Sequence, residues 1–87
     1  MRVTVTQEDI DKGICDNAVS CAIAKAVARK TGSSCRVSYD AVTVYDRNMD
    51  EKAFYKLSRP AREFIAKFDR GDRESLKPVA FNLVGIK

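Results

Sequence analysis

The chain has 87 residues, of which 45% are hydrophobic and 32% charged, with a formal net charge of +4 and no histidine. This length supports one domain with a modest core, and the proportions exclude a disordered chain. No apolar run is long enough to span a membrane, and the first residues lack the apolar segment of a secretory signal. We therefore expect a single domain over residues 1–87 that is soluble in the cytoplasm.

Positive charge is concentrated in the second part of the chain. Residues 1–50 hold seven basic and seven acidic side chains, whereas residues 51–87 hold nine basic and five acidic ones. The whole excess of positive charge therefore lies beyond residue 50. Such asymmetry indicates a surface for an anionic partner, although acids are interleaved with the bases here, unlike in dedicated nucleic-acid binders.

The chain begins with a pattern for a strand and a short helix. Val3 and Val5 alternate with polar residues, which predicts a strand over residues 2–6 with one buried face. The segment Thr6-Gln7-Glu8-Asp9 is typical of a helix cap with acids in the first turn. Gly13 is expected to end this helix, whose apolar anchors would be Ile10 and Ile14.

An alanine-rich segment then predicts a longer helix over residues 17–30, opened by Asp16 or Asn17. Its inner face would carry Val19, Ile23, Ala26 and Val27. Lysine and arginine near its end suit the negative end of the helix dipole.

Three strands are predicted next, over residues 35–39, 41–45 and 52–58, with a helix as the alternative for the last of them. The close spacing around Asp40 indicates either a turn or one bent strand with a bulge. Residues 46–50 have the composition of a turn. The expected core residues of this region are Val37, Val42 and Val44.

The segment LSRPAREFIAKFDRG predicts an amphipathic helix over residues 59–70. Ser58 can cap it, and Pro60 is tolerated in a first turn. Gly71 can adopt the left-handed conformation that ends a helix. The apolar spacing of i, i+3, i+4 and i+7 places four residues on the inner face: Ala61, Phe64, Ile65 and Phe68.

A last strand follows Pro78, with Val79, Phe81 and Leu83 on one face. The order of elements is then β-α-α-β-β-β-α-β. This order predicts an α+β fold, in which a small antiparallel sheet carries two main helices on one face.

The composition offers little to a catalytic or metal site. Histidine, the commonest acid–base group, is absent, and the four glycines are too scattered for a phosphate-binding loop. The cysteines are Cys15, Cys21 and Cys35, an odd number that argues against a disulfide framework and falls short of a four-ligand zinc site. Cys21 and Cys35 are expected to be small buried apolar residues, whereas Cys15 lies near a helix start that can lower a thiol pKa. We expect no enzyme activity, metal or cofactor.

Four segments of the chain, in order, are VTVTQEDIDKG, SCAIAKAV, FIAKFDRG and PVAFNL. They resemble a pattern found in small accessory proteins of tailed bacteriophages: VTQEHIDRG, CPIALAL, FDxG and PFxFxL. The resemblance covers most of the chain through Thr6–Gly13, Cys21–Val27, Phe68–Gly71 and Pro78–Leu83. This chain has Ala22 where those proteins commonly have proline. The resemblance implies a phage protein in the host cytoplasm and, by analogy, an anti-defence role such as that of anti-CRISPR proteins.

Three hypotheses for function follow. The first is stoichiometric binding to a host protein complex, since arginine and tyrosine are common interface anchors. Its expected binding residues are Tyr55, Lys56, Arg59, Arg62, Lys67 and Arg70. The second is nucleic-acid binding by the same face, and the third is a structural or assembly role through an oligomer interface. Opposite charges at i,i+4, in Arg59–Glu63 and Glu63–Lys67, also fit a face that is only solvated.

Overall fold

The computed structural model describes residues 1–86. In this range the chain forms six strands, three α-helices and one 3₁₀ turn at Arg73–Ser75. The strands and helices, in chain order, are β1 (Arg2–Val5), α1 (Gln7–Lys12), α2 (Ala22–Thr31), β2 (Cys35–Val37), β3 (Ala41–Tyr45), β4 (Glu51–Lys56), α3 (Arg59–Asp69), β5 (Val79–Asn82) and β6 (Val84–Ile86). The fold is therefore α+β with antiparallel strand pairs, as the sequence predicted.

The strands form two sheets rather than the single sheet that the sequence predicted. One sheet has the order β2-β3-β4-β6, and the other pairs β1 with β5. The predicted last strand is divided at Leu83, which exchanges backbone hydrogen bonds with Met1 and is buried. The chain ahead of Leu83 thus pairs with β1, and the chain after it pairs with β4. Val79, at the start of β5, lies partly exposed rather than in the core.

The hairpin of β2 and β3 resolves the alternative that the sequence left open at Asp40. Residues 38–40 form a turn, and Cys35 pairs with Val44 across it. A register shift lies instead between β3 and β4, where Val44 faces Ala53 but Tyr45 faces Glu51. Val37, Val42 and Val44 are buried, as predicted.

The second helix begins later than the sequence predicted. Residues 15–20 form turns, because the Asn17 side chain accepts hydrogen bonds from the backbone N–H groups of Val19 and Ser20. An asparagine that bonds its own neighbours competes with helix formation. The helix is capped instead by Cys21, whose sulfur accepts from the Ala24 N–H. Val19 and Ile14, expected as inner residues, are 58% and 53% exposed.

One cluster of buried apolar side chains joins residues from all three helices and both sheets. Helix α2 contacts β1 and β2, and α3 contacts α2. The rings of Phe64 in α3 and Phe81 in β5 meet edge to face with centroids 5.5 Å apart, a favoured geometry for aromatic pairs. Helix α3 is thereby fixed against the small sheet.

Asp9 is the one buried charged residue among those described, with 4% of its surface exposed. Its carboxylate accepts two hydrogen bonds from the Arg29 guanidinium, at 2.7 and 2.8 Å, and one from the Thr6 N–H at 2.9 Å. The Thr6 hydroxyl accepts from the Asp9 N–H in return, which completes a capping box at the start of α1. Arg29 also donates to the Thr4 carbonyl. This single carboxylate therefore connects β1, α1 and α2.

The end of α1 is held by a second arginine. The guanidinium of Arg73 donates to the carbonyls of Ile10, Asp11 and Gly13, at 3.1, 2.9 and 2.6 Å. It also lies over the Phe68 ring, 4.8 Å from the centroid. Carbonyls at the end of a helix lack hydrogen-bond donors within the helix. Arg73 provides these donors from elsewhere in the chain.

The Asp9 carboxylate should make the stability of the domain sensitive to acid. Burial by itself would raise its pKa, but the hydrogen bonds from Arg29 and Thr6 outweigh burial and lower the pKa below the usual 3.8. A carboxyl group whose pKa is lowered by folding stabilises the native state above pH 3.8, and this contribution is lost as the pH falls through the lowered value. Asp9→Asn should cost about 1–3 kcal/mol at pH 7.

The measurement is urea unfolding of wild type and Asp9→Asn between pH 7 and pH 2. The difference between the two free energies of unfolding should shrink as the pH falls, because protonation of Asp9 removes its contribution from the wild type. The other carboxylates titrate in both proteins and cancel from the difference. A difference that stays constant across this range would contradict the assignment.

Gly13 should tolerate no side chain, although its φ of −64° suits any residue. A Cβ atom there would lie 2.7 Å from the Asp9 carbonyl oxygen and from the Phe68 Cζ, and 2.9 Å from the Ala22 nitrogen. Gly13→Ala should therefore destabilise the domain by about 1–3 kcal/mol, as overpacking does. The matched control is Gly85→Ala, since a Cβ there meets only the Tyr55 ring at 3.8 Å. Thermal melting would test both, and a Gly13→Ala protein as stable as the control would contradict the contact.

Candidate functional site

Helix α3 forms for the reasons that the sequence indicated, and it presents one face to solvent. The Ser58 hydroxyl accepts from the Ala61 N–H, and Pro60 lies in the first turn. All four predicted inner residues are buried: Ala61, Phe64, Ile65 and Phe68. Gly71 has the predicted positive φ, 81°. The basic side chains consequently project from the opposite face or its edges.

The basic residues of α3 do not form one cluster. At about 100° per residue, Arg59, Ala66 and Arg70 lie along the middle of the exposed face. Arg62 lies at one edge and Lys67 at the other. Lys67 lines a shallow groove with Leu76 and Val79, whereas Arg62 lines a cleft on the other side of the helix.

The cleft beside Arg62 has a volume of about 340 Å³. Its walls come from α3, from the turn between β2 and β3, and from the turns after α1. Tyr39 is the most exposed of its large side chains, with 81% of its surface accessible. A second depression lies between Tyr39 and the residues Arg59, Arg62, Glu63 and Ala66. Tyr39 thus stands between two depressions and next to the basic helix.

We name the surface formed by Tyr39, Arg59, Arg62 and Ala66 the Tyr39–Arg62 face. Arg70 lies further along the same exposed side of α3 and lines neither depression. Ala66 is too small to fill the space between its neighbours, which leaves the depressions open. The sequence did not place Tyr39 here, because its partners lie about 20 residues or more away along the chain. The sequence does contain one signal for an exposed ring: Tyr39 lies in the turn between β2 and β3, where an aromatic ring has no sheet face to pack against.

The charges of the Tyr39–Arg62 face are only partly neutralised. Arg59 donates to the Glu63 carboxylate at 3.1 Å, with both side chains well exposed. Such an exposed pair contributes little to stability. Among the described residues, neither Arg62 nor Arg70 forms an ion pair. Asp69 lines the cleft as well, and its carboxylate accepts from the Asp16 N–H at 3.0 Å.

Tyr55 and Lys56, which the sequence placed with the basic face, line neither depression. Successive residues of a strand point to opposite faces of a sheet. Tyr55 is directed inward, where it is half-buried against the core and pairs with Val42. Lys56 is exposed on the other face of β4, beside Val84. Of the six predicted binding residues, the structure therefore brings Arg59 and Arg62 together beside Tyr39, and Arg70 lies further along the same side of α3.

The three thiols are held as structural groups. Cys21 and Cys35 are buried, as predicted, and burial raises the pKa of both, that of Cys35 to about 11. The Cys35 thiol donates to the Ala24 carbonyl, so it remains protonated at neutral pH. Cys15 is half-buried, with its sulfur 3.0 Å from the Phe68 carbonyl oxygen and 3.5 Å from Arg73 Nη2.

Within residues 1–86 no three Cys, Asp or Glu side chains come close enough together to hold a metal ion. None of the helices in that range has the length and apolar composition needed to cross a membrane.

Comparison with models of protein families, with curated proteins and with solved structures finds no match to this chain. Function must therefore be inferred from the side chains of the surface and from their geometry.

Substitutions on the buried face of α3 should change the stability of the domain, whereas substitutions on its exposed face should not. Phe64→Ala removes a buried ring that contacts Phe81, and should cost about 3–5 kcal/mol. Arg62→Glu combined with Arg70→Glu should leave the melting temperature nearly unchanged, since neither arginine forms an ion pair among the described residues. Circular dichroism melts of both proteins test this. A large loss of stability in the double variant would mean that these arginines support the fold.

Proposed function

We propose that this chain is a small, non-enzymatic phage-type protein that binds a host protein stoichiometrically through the Tyr39–Arg62 face. The role that the phage resemblance favours is inhibition of a host defence complex. The observation that supports binding is an aromatic ring, 81% exposed, next to two arginines and above a small alanine.

The exposed tyrosine at the tip of the hairpin gives a partner a large apolar surface to cover. Tyrosine and arginine are the residue types most enriched among interface residues that dominate binding energy. Both lie next to open depressions, so a partner side chain can enter beside each of them. The face therefore combines residues that can anchor an interface with open depressions that can admit side chains of the partner.

The chemistry of the face indicates an acidic partner surface. Arg62 and Arg70 carry charges that no carboxylate of the described chain neutralises. A guanidinium can donate two parallel hydrogen bonds to one carboxylate. We infer that aspartate or glutamate side chains of the partner meet these two arginines, while an apolar group of the partner covers Tyr39.

The test starts with capture of partners from host lysate by the tagged protein at physiological salt, followed by mass spectrometry and purification of the captured protein. Tyr39→Ala and Arg62→Glu should each weaken its binding by about 30-fold or more, the effect of losing an interface anchor. Arg47→Glu, which makes the same charge change in the exposed turn at residues 46–50, serves as the matched control.

A loss in Arg47→Glu as large as the loss in Arg62→Glu would show a general effect of charge rather than a defined site. Unchanged binding in Tyr39→Ala and Arg62→Glu, with the proteins folded, would overturn the proposal and move the search to the loops at 46–51 and 71–77. Capture of no host protein at all would also count against it.

A further inference from the structure

The four-stranded sheet has one face that is directed away from the core cluster. Alternation along each strand and pairing between strands define this outer sheet face. Val42 and Val44 point to the core, so their neighbours in β3 point outward, together with the residues paired to them. The outer sheet face consists of Arg36, Thr43, Tyr45, Phe54, Lys56 and Val84.

This face exposes apolar and aromatic surface in the middle of a sheet. Phe54 is 39% exposed and Val84 is 68% exposed. Phe54 pairs with Thr43, and Tyr45 lies two residues further along β3. The two rings thus belong to adjacent strands, on either side of the register shift between β3 and β4. Thr43, which pairs with Phe54, is too small to cover the Phe54 ring.

Two cations flank the Phe54 ring. Lys56 lies two residues along the same strand, and Arg36 faces Thr43 from the other side of β3. Arg36 is therefore two strand spacings from Phe54, about 10 Å. Neither cation forms an ion pair among the described residues. Glu51, opposite Tyr45, and the aspartates of the turn at 46–50 make the other end of the face acidic.

We propose that the outer sheet face binds single-stranded nucleic acid, with a base stacked on Phe54 and phosphates on Arg36 and Lys56. A sheet that presents aromatic rings at the centre and cations at the flanks matches the two chemistries of a single strand, its π-faces and its charged backbone. A duplex hides its base faces, whereas a single strand offers a π-face next to each phosphate. A neighbouring base of the same nucleic acid would stack on the second ring, Tyr45.

This proposal concerns a different surface from the Tyr39–Arg62 face and does not rest on the proposed function. The probes are fluorescein-labelled dT15 and rU15, together with a DNA duplex of the same length, in anisotropy titrations from 50 to 300 mM salt. We expect both single strands to bind more tightly than the duplex. A stacked base is worth roughly 5- to 150-fold in affinity, so Phe54→Ala should weaken binding within that range.

Three variants make the assignment specific. Phe54→Leu keeps an apolar side chain on the strand but removes the π-face, so it should lose affinity while remaining folded. Lys56→Gln should reduce the slope of log affinity against log salt by about 0.7, the value for one phosphate of a single strand. Tyr39→Ala is the matched control, because it removes an exposed ring outside the outer sheet face and should leave affinity unchanged.

The proposal fails if neither single strand binds at 50 mM salt, or if folded Phe54→Leu binds as tightly as wild type. It also fails if Tyr39→Ala loses as much affinity as Phe54→Leu, since the nucleic acid would then be bound to the Tyr39–Arg62 face. Sedimentation of the free protein addresses a second copy as the occupant: a dimer that Phe54→Leu converts to monomer would show a protein interface instead.

Discussion

The buried carboxylate of Asp9 is the interaction on which the arrangement of the first 31 residues depends. It accepts hydrogen bonds from Thr6, at the junction of β1 and α1, and from Arg29, in the last turns of α2. A six-residue helix such as α1 is too short to be stable alone. Its direction is set from outside, by Arg29 at its start and by Arg73 at its end. Removal of Arg29 would leave the Asp9 carboxylate with the Thr6 N–H as its remaining partner, and removal of Arg73 would take a side-chain donor from three carbonyls near the end of α1.

This use of arginine changes how the positive charge of the chain should be interpreted. Arg29 and Arg73 contribute to the net charge of +4, but their guanidinium groups are occupied by a carboxylate and by backbone carbonyls of the same chain. Of these two, Arg73 belongs to the excess of positive charge beyond residue 50, so that excess overstates the number of cations free to meet a partner. The cations with no ion pair in the described chain, such as Arg36, Lys56, Arg62 and Arg70, lie on two separate surfaces. Charge counted along the sequence could not show that separation.

The sequence predicted correctly those elements whose hydrophobic periodicity matches the burial of their residues in the structure. The inner stripe of α3 and the alternation of β1 are local patterns, and the structure confirms both. The start of α2 was wrong because one asparagine side chain outweighs the helical preference of its neighbours. The division of the last strand was missed because it depends on pairing with Met1, at the other end of the chain. For the site, the sequence found the basic helix but not Tyr39, and it joined Tyr55 to Lys56 although adjacent strand residues point apart.

The β2–β3 hairpin connects the two surfaces to which function is assigned. Its tip carries Tyr39, beside α3, and its outward side chains include Arg36 and Thr43 on the sheet. The inward side chains of the same strands are core residues, so the hairpin is held rigidly by Cys35, Val37, Val42 and Val44. A partner on the Tyr39–Arg62 face and a strand on the outer sheet face would therefore each meet a surface formed before binding, with little ordering cost. The two faces approach each other at the tip of the hairpin, since Lys56 pairs with Ala41, two residues from Tyr39. A protein partner and a nucleic acid bound as proposed would therefore lie side by side.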